Sequence, residues 1–203
     1  MSKLRRIVMI RHGETIGNSS VRFHGSSDVP LSDEGRGQLR RVAKALRTEV
    51  FDLVVASPLR RSWEGASIIA GGATVRLEDD FREIDFGRWE GLTGEEIRDS
   101  DPVLYQDWQG KVEAFEFPGG EPRAEFRARV NRGLDRMIEG GASAVLLVVH
   151  KGIIRMIAEK LLSHPLEDGH PELGGVVSLS RNADGTWFAG RRSSDPEGLS
   201  TAG

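Results

Sequence analysis

The stretch "IVMIRHGETIGN" sets Arg11 and His12 directly behind a short apolar run, "SPLRR" follows a second such run, and His150 with Lys151 follows a third. Guanidinium groups bind phosphate oxygens in bidentate fashion, and an imidazole adds a further contact or a nucleophile. Arginines and histidines brought to one point therefore make a site for a tetrahedral dianion such as a phosphate monoester, which carries about −1.5 to −2 charges near neutral pH. With an unperturbed pKa of about 6.5, a histidine there has a neutral form able to accept a phosphoryl group covalently. The departing alkoxide then needs a proton. "FREIDFGRWEG" offers Glu83 and Asp85 for this, in an aromatic-flanked segment where partial burial can keep a carboxyl protonated. A metal site is the weaker reading of these histidines, because no HExxH or similar spacing occurs and neighbouring arginines repel a cation.

These groups need a scaffold that gathers them. The apolar runs "IVMI" at 7–10, "FDLVVA" at 51–56 and "AVLLVV" at 144–149 are rich in Val, Ile and Leu without alternation. That pattern is expected of parallel strands covered by helices on both faces. Helical spacing relates Leu39, Val42, Ala43, Leu46 and Val50, and likewise Phe126, Val130, Leu134 and Met137. Thr93 and Glu96 in "TGEEI" form a capping box that starts another helix, and "GIIRMIAEKLL" is a helix entered straight from the third strand. "VVSLSRNADGTWFAG" reads as two strands joined by a turn around Asp184 and Gly185. Tyr105, Trp108, Phe115 and Phe117 are expected in a helical cap packed on the core. The fold class is α/β, a three-layer sandwich whose central sheet is mostly parallel, with helices on both faces. Such sheets bind ligands beyond the carboxyl ends of their strands, which is where the three clusters stand.

The chain's 203 residues, 38% of them hydrophobic, suit one domain over 1–191, followed by a tail at 192–203 that has little to bury and is expected to be mobile. A formal net charge of −3 leaves no nucleic-acid footprint and no basic membrane-binding face. Cysteine is absent, so there is neither a disulfide framework nor thiolate chemistry. The apolar run behind "MSKLRR" is too short for a signal peptide, and no run is long enough to span a membrane. A cytoplasmic protein is the expectation. No heptad or exposed apolar stripe decides for or against a homo-oligomer.

"RHGET" followed by Asn18, then "RFHGSSDVPLS", "SPLRR", "REIDFGRWEGLT", "PGGE" and "VVHKGIIR" resemble, in this order, the histidine phosphatase superfamily, the phosphoglycerate mutase-like group. The likeness runs from Ile7 to about Arg155. It implies a phosphoglycerate mutase-like α/β sandwich, a phosphatase branch, no metal and no other cofactor. It also implies site roles: His12 as the phosphorylated nucleophile, Arg11, Arg61 and His150 around the phosphoryl oxygens, and Glu83 rather than Asp85 as proton donor and later base. Asn18 would join the phosphate pocket, with His24 and Gly25 lining the substrate side. Arg61 is preferred to its neighbour Arg60, and Glu14 is read as a supporting group rather than an acid. His164 and His170 are expected to stand apart from the chemistry.

The sequence departs from the family pattern at Gly17, Glu64, Gly65, Pro122 and Lys151, none of which removes a proposed catalytic group. Lys151, where relatives commonly carry Gly, is expected to add an anion contact or narrow the pocket. The resulting expectation is a metal-independent phosphatase that hydrolyses a small phosphorylated metabolite through a phosphohistidine. The alternatives are a phosphoglycerate mutase, a phosphohistidine protein phosphatase and a pseudoenzyme that binds a phosphorylated ligand. Dedicated mutases carry longer insertions between the second and third strands, so hydrolysis is favoured.

Overall fold

The computed structural model describes residues 3–166 and 171–190, so the tail at 192–203 and His170 lie outside the described residues. The apolar runs form strands β1 (Arg6–Arg11), β2 (Leu53–Ala56) and β4 (Ala144–Val149), with a short edge strand β3 (Val75–Leu77) between the last two in sequence. β5 (Val176–Arg181) and β6 (Trp187–Ala189) are the expected hairpin. The six-stranded sheet has the order β3-β2-β4-β1-β5-β6; β3, β2, β4 and β1 run parallel, and β5 and β6 are antiparallel.

Side chains alternate across the central strands, and each set meets its own helices. Ile7, Met9, Val145, Leu147 and Val149 pack with Phe126, Val130, Leu134 and Met137 of α5 (Arg123–Glu139) and Ile153, Ile154 and Ile157 of α6 (Lys151–Leu162). Val8, Ile10, Leu146 and Val148 pack with Leu39 and Val42 of α1 (Asp33–Ala45) and Ala66 of α2 (Arg60–Ala70). The strands are apolar on both faces because both faces are covered, which is the three-layer architecture expected.

Three local features differ from expectation. α1 stops at Ala45, and Val50 is 80% exposed, because the chain must turn after Leu46 to enter β2. β3 was not legible as a strand: it is three residues long, half-exposed, and defined only by pairing with β2. The aromatic residues build a separate cluster rather than a cap on the main core. α3 (Gly94–Ser100), opened by the expected capping box, and α4 (Pro102–Gln109) supply Ile97, Tyr105 and Trp108; Phe115 and Phe117 follow the helix, and all gather around fully buried Trp89. Phe86 and Phe117 bridge this cluster to the main core. It takes in Phe86, Trp89 and Leu92 and so holds segment 84–92.

Candidate active site

The β1–β4 register pairs Arg11 with Val149, so the next residues, His12 and His150, leave the sheet side by side. Their rings lie 5.2 Å apart, edge to face at 61°, with His12 4% exposed and His150 fully buried. The His12 amide still donates to the Val149 carbonyl at 3.0 Å, so backbone pairing sets this neighbourhood. Beyond His12, Gly13 and Gly35 cross so closely that a Cβ on either would run into the other segment's backbone. That crossing fixes the loop after β1 against the first turn of α1.

His12 Nδ1 lies 2.8 Å from the Gly13 carbonyl oxygen. A carbonyl only accepts, so Nδ1 carries the proton and Nε2 keeps its lone pair. Burial, then Arg61 and Arg11, push His12 well below the ordinary histidine range. Burial, then Arg61 and His12, do the same to His150. Both imidazoles are neutral at pH 7, and His12 presents the form a nucleophile requires.

Arg61, buried in the first turn of α2, donates from Nη1 to the Ser27 carbonyl at 2.6 Å and from Nη2 to the carbonyls of His24 and Gly25 at 3.0 and 2.7 Å. Its Nε has no partner among the described residues, and neither does the buried Nε of Arg11, whose Nη1 donates to the Pro171 carbonyl at 3.2 Å. Burial lowers the pKa of Arg61 to about 10 and that of Arg11 in the same direction, each partly offset first by Glu83. Buried guanidinium donors left open beside neutral histidines make an anion receptor waiting for charge. Arg60, by contrast, is exposed and paired with Glu64.

Glu83 is 7% exposed and accepts from the Gly152 amide at 2.9 Å and the Ile84 amide at 3.1 Å. It thereby caps the N-terminus of α6 from another segment, satisfying an amide the helix leaves open. A Cβ at Gly152 would collide with this carboxyl, so a side chain there would displace Glu83 from its present position. Asp85 is engaged elsewhere, closing a turn onto the Gly87 amide at 2.8 Å. Of the two carboxyls left open by the residues alone, Glu83 is the one that acts electrostatically on Arg11 and Arg61.

Of the other expected groups, His24 and Lys151 act electrostatically on site residues. His24 donates from Nε2 to the Gly17 carbonyl at 2.7 Å and acts electrostatically on His12. Gly25 is buried, and its amide donates to Glu90. Asn18 is solvent-exposed with φ 58°, a left-handed conformation asparagine tolerates, at the turn where the loop reverses. Glu14 accepts from the amides of Thr15 and Ser20 at 2.7 and 3.2 Å, so it shapes the loop. Lys151 reaches solvent at the start of α6, its pKa lowered by partial burial and then by Arg11 and Arg155. His164 is exposed and bonded to its neighbour's carbonyl. Among the described residues, no group of three or more His, Cys, Asp or Glu is placed to hold a metal ion, and no helix is long and apolar enough to cross a membrane.

The sequence reading missed Glu90 and Ser62. Glu90 accepts from the amides of Gly25, Ser26, Ser27 and Phe86 and from the Ser27 hydroxyl. It orders the loop whose carbonyls grip Arg61. Ser62, fully buried, lies 3.3 Å from His150 Nε2. The repeated acid in "FGRWEG" was visible but had no assigned partner, and nothing in "RRSWEG" marks the serine.

A family model described as the histidine phosphatase superfamily (branch 1) matches residues 7–190. A glucosyl-3-phosphoglycerate phosphatase from Mycolicibacterium vanbaalenii is 32% identical over 188 residues, covering 88% of this chain and 83% of that protein. A bifunctional protein from Mycobacterium tuberculosis is 36% identical over 187 residues, but the chain spans about half of it, 51%. Among solved structures, the alpha-ribazole phosphatase from Shigella flexneri superposes with a TM-score of 0.81 at 25% identity, covering 93% of this chain and 96% of that one. A mycobacterial glucosyl-3-phosphoglycerate phosphatase in complex with inorganic phosphate gives 0.78 at 29% identity, with 95% and 99% covered. Layering, sheet order and these likenesses define an α/β fold of the phosphoglycerate mutase-like type. The chain belongs to the histidine phosphatase superfamily, branch 1, and is a phosphoric monoester hydrolase.

Proposed function

We propose that this protein hydrolyses a small phosphorylated metabolite through a phosphohistidine at His12, without a metal ion. The observation that carries the reading is the His12 Nδ1–H bond to the Gly13 carbonyl, which leaves the Nε2 lone pair available beside buried Arg61 and half-buried Arg11. In the first step the Nε2 lone pair attacks phosphorus, the bond from phosphorus to the ester oxygen breaks, and Glu83 gives its proton to the departing alkoxide. In the second, Glu83 takes a proton from water, the water oxygen attacks phosphorus, and the bond to Nε2 breaks to release inorganic phosphate. Arg11, Arg61 and His150 stabilise the charge on the non-bridging oxygens in both steps. Guanidinium groups occupy the role a metal ion has in other phosphatases and would repel one.

The substrate class follows from the pocket's chemistry and from relatives named for glucosyl-3-phosphoglycerate and alpha-ribazole phosphate esters. Lys151 and Arg155 stand one turn apart on α6, close enough to Arg11 to shift Lys151, and favour a substrate with a second anionic group. Initial rates over a panel of phosphorylated metabolites, with chelator present, test this; the panel includes 3-phosphoglycerate, and free phosphate and isomerised product are both measured. Phosphate released from a favoured compound is expected. Isomerised phosphoglycerate without phosphate release would make the protein a mutase, and a chelator that abolished activity would sink the metal-free mechanism.

A further inference from the structure

Resting on the phosphoryl-transfer reading above, we propose that Ser62 is a positioning residue that fixes the tautomer of His150, so that a neutral imidazole donates a hydrogen bond to the bound phosphoryl group. Ser62 sits in the first turn of α2, immediately after Arg61, and is fully buried. Its amide bonds to the Leu59 carbonyl, and its Oγ makes one described side-chain hydrogen bond, 3.3 Å to His150 Nε2. The other ring nitrogen, Nδ1, is buried with no hydrogen-bond partner among the described residues.

Two proton arrangements fit this contact. If Nε2–H donated to Oγ, the hydroxyl proton would have no acceptor among the described residues. Nδ1 would then turn a lone pair toward an anion, which repels. If Oγ–H donates to Nε2, the hydroxyl is satisfied and the ring proton moves to Nδ1, leaving a donor open. Buried polar groups take the arrangement that pairs them, so the second holds. His12 and His150 therefore share one tautomer, reached from opposite sides: an acceptor on Nδ1 fixes His12, and a donor on Nε2 fixes His150. Burial beside Arg61, His12 and Arg11 keeps His150 neutral, so it cannot donate from both nitrogens, and which one carries the proton decides whether it helps.

The test uses the full chain labelled with nitrogen-15, with histidine ring signals assigned through His12→Gln and His150→Gln variants. Long-range proton–nitrogen spectra at pH 7.5 distinguish a protonated Nδ1 from a protonated Nε2. The expected wild-type result is Nδ1–H at His150, and Nε2–H would overturn the proposal without use of any variant. In Ser62→Ala the ring is expected to show mixed tautomers. The inhibition constant of inorganic phosphate is expected to rise about fivefold, the size of one net hydrogen bond. An unchanged tautomer or an unchanged phosphate constant would also overturn it. Failure of the wild-type protein to bind phosphate, with Nδ1–H still seen, would instead count against the catalytic reading and leave the tautomer assignment standing.

Discussion

Glu83 and Gly152 form a matched pair: the carboxylate accepts the Gly152 amide at 2.9 Å, and the absence of a side chain at Gly152 is what gives the carboxylate its place. Sixty-nine residues apart, they join the segment after β3 to the start of α6. The carboxyl proposed as general acid is thereby tied to the helix that follows His150.

Gly152→Ala should therefore act as a disguised Glu83 mutation. The added methyl displaces the carboxyl, and kcat for substrates with poor leaving groups is expected to fall about 10²-fold or more, with little change in circular dichroism. Steady-state kinetics on an alkyl phosphate and on an aryl phosphate check this. Equal losses on both would mean that the displaced carboxyl is not the acid.

Glu83→Gln removes the proton while keeping an oxygen to accept an amide. Turnover of alkyl phosphates should slow roughly 10²–10⁴-fold, the usual share of a positioned acid or base, and aryl phosphates, whose leaving groups need little help, should suffer less. Equal losses on alkyl and aryl phosphates would argue against Glu83 as donor.

Glu90→Gln turns an amide NH₂ toward the backbone amides of residues 25–27, so donors face donors and the loop loosens. Because that loop's carbonyls hold Arg61, the effect is expected on anion binding: a phosphate inhibition constant raised about tenfold, with a stability loss of about 1–3 kcal/mol for the unsatisfied amides. Inhibition by phosphate at the wild-type constant would show that Arg61 keeps its pose without the loop.

Acid should destabilise the protein through its buried histidines. Burial and the nearby Arg61 lower both His12 and His150 in the native state, while in the unfolded chain they titrate near 6.5. Below about pH 6.5 the unfolded chain takes up protons that the native protein refuses. Stability present above that pH is lost as pH falls, by up to about 1.4 kcal/mol per pH unit for each histidine. Urea midpoints between pH 7.5 and 5.5 should fall, and less steeply in His150→Gln. Identical slopes would contradict the neutral, buried assignment.

The sequence carried the strands, the helices and the basic strand ends because each is a local signal: unbroken Val, Ile and Leu for β1 and β4, the Thr93 capping box for α3, Arg11 and His12 after an apolar run. What it could not carry was pairing over distance. β3 exists only because β2 is beside it. Glu83 and Asp85 part company in space because one reaches the Gly152 amide and the other the Gly87 amide, two destinations the string "REIDFG" does not distinguish. Glu90 and Ser62 likewise gain meaning from partners 63 to 88 residues away, the loop at Gly25–Ser27 for one and His150 for the other. Val50 continued a helical period that the turn into β2 interrupts.

The central claim is a covalent phosphoryl group on His12. Rapid quenching of the enzyme in alkali during turnover of a phosphorus-32-labelled substrate, followed by digestion and peptide mapping, tests it directly. Acid-labile, alkali-stable label on the peptide containing His12, absent in His12→Ala, is the expected result. Turnover with no protein-bound label under single-turnover conditions, or His12→Ala retaining wild-type rates, would contradict it.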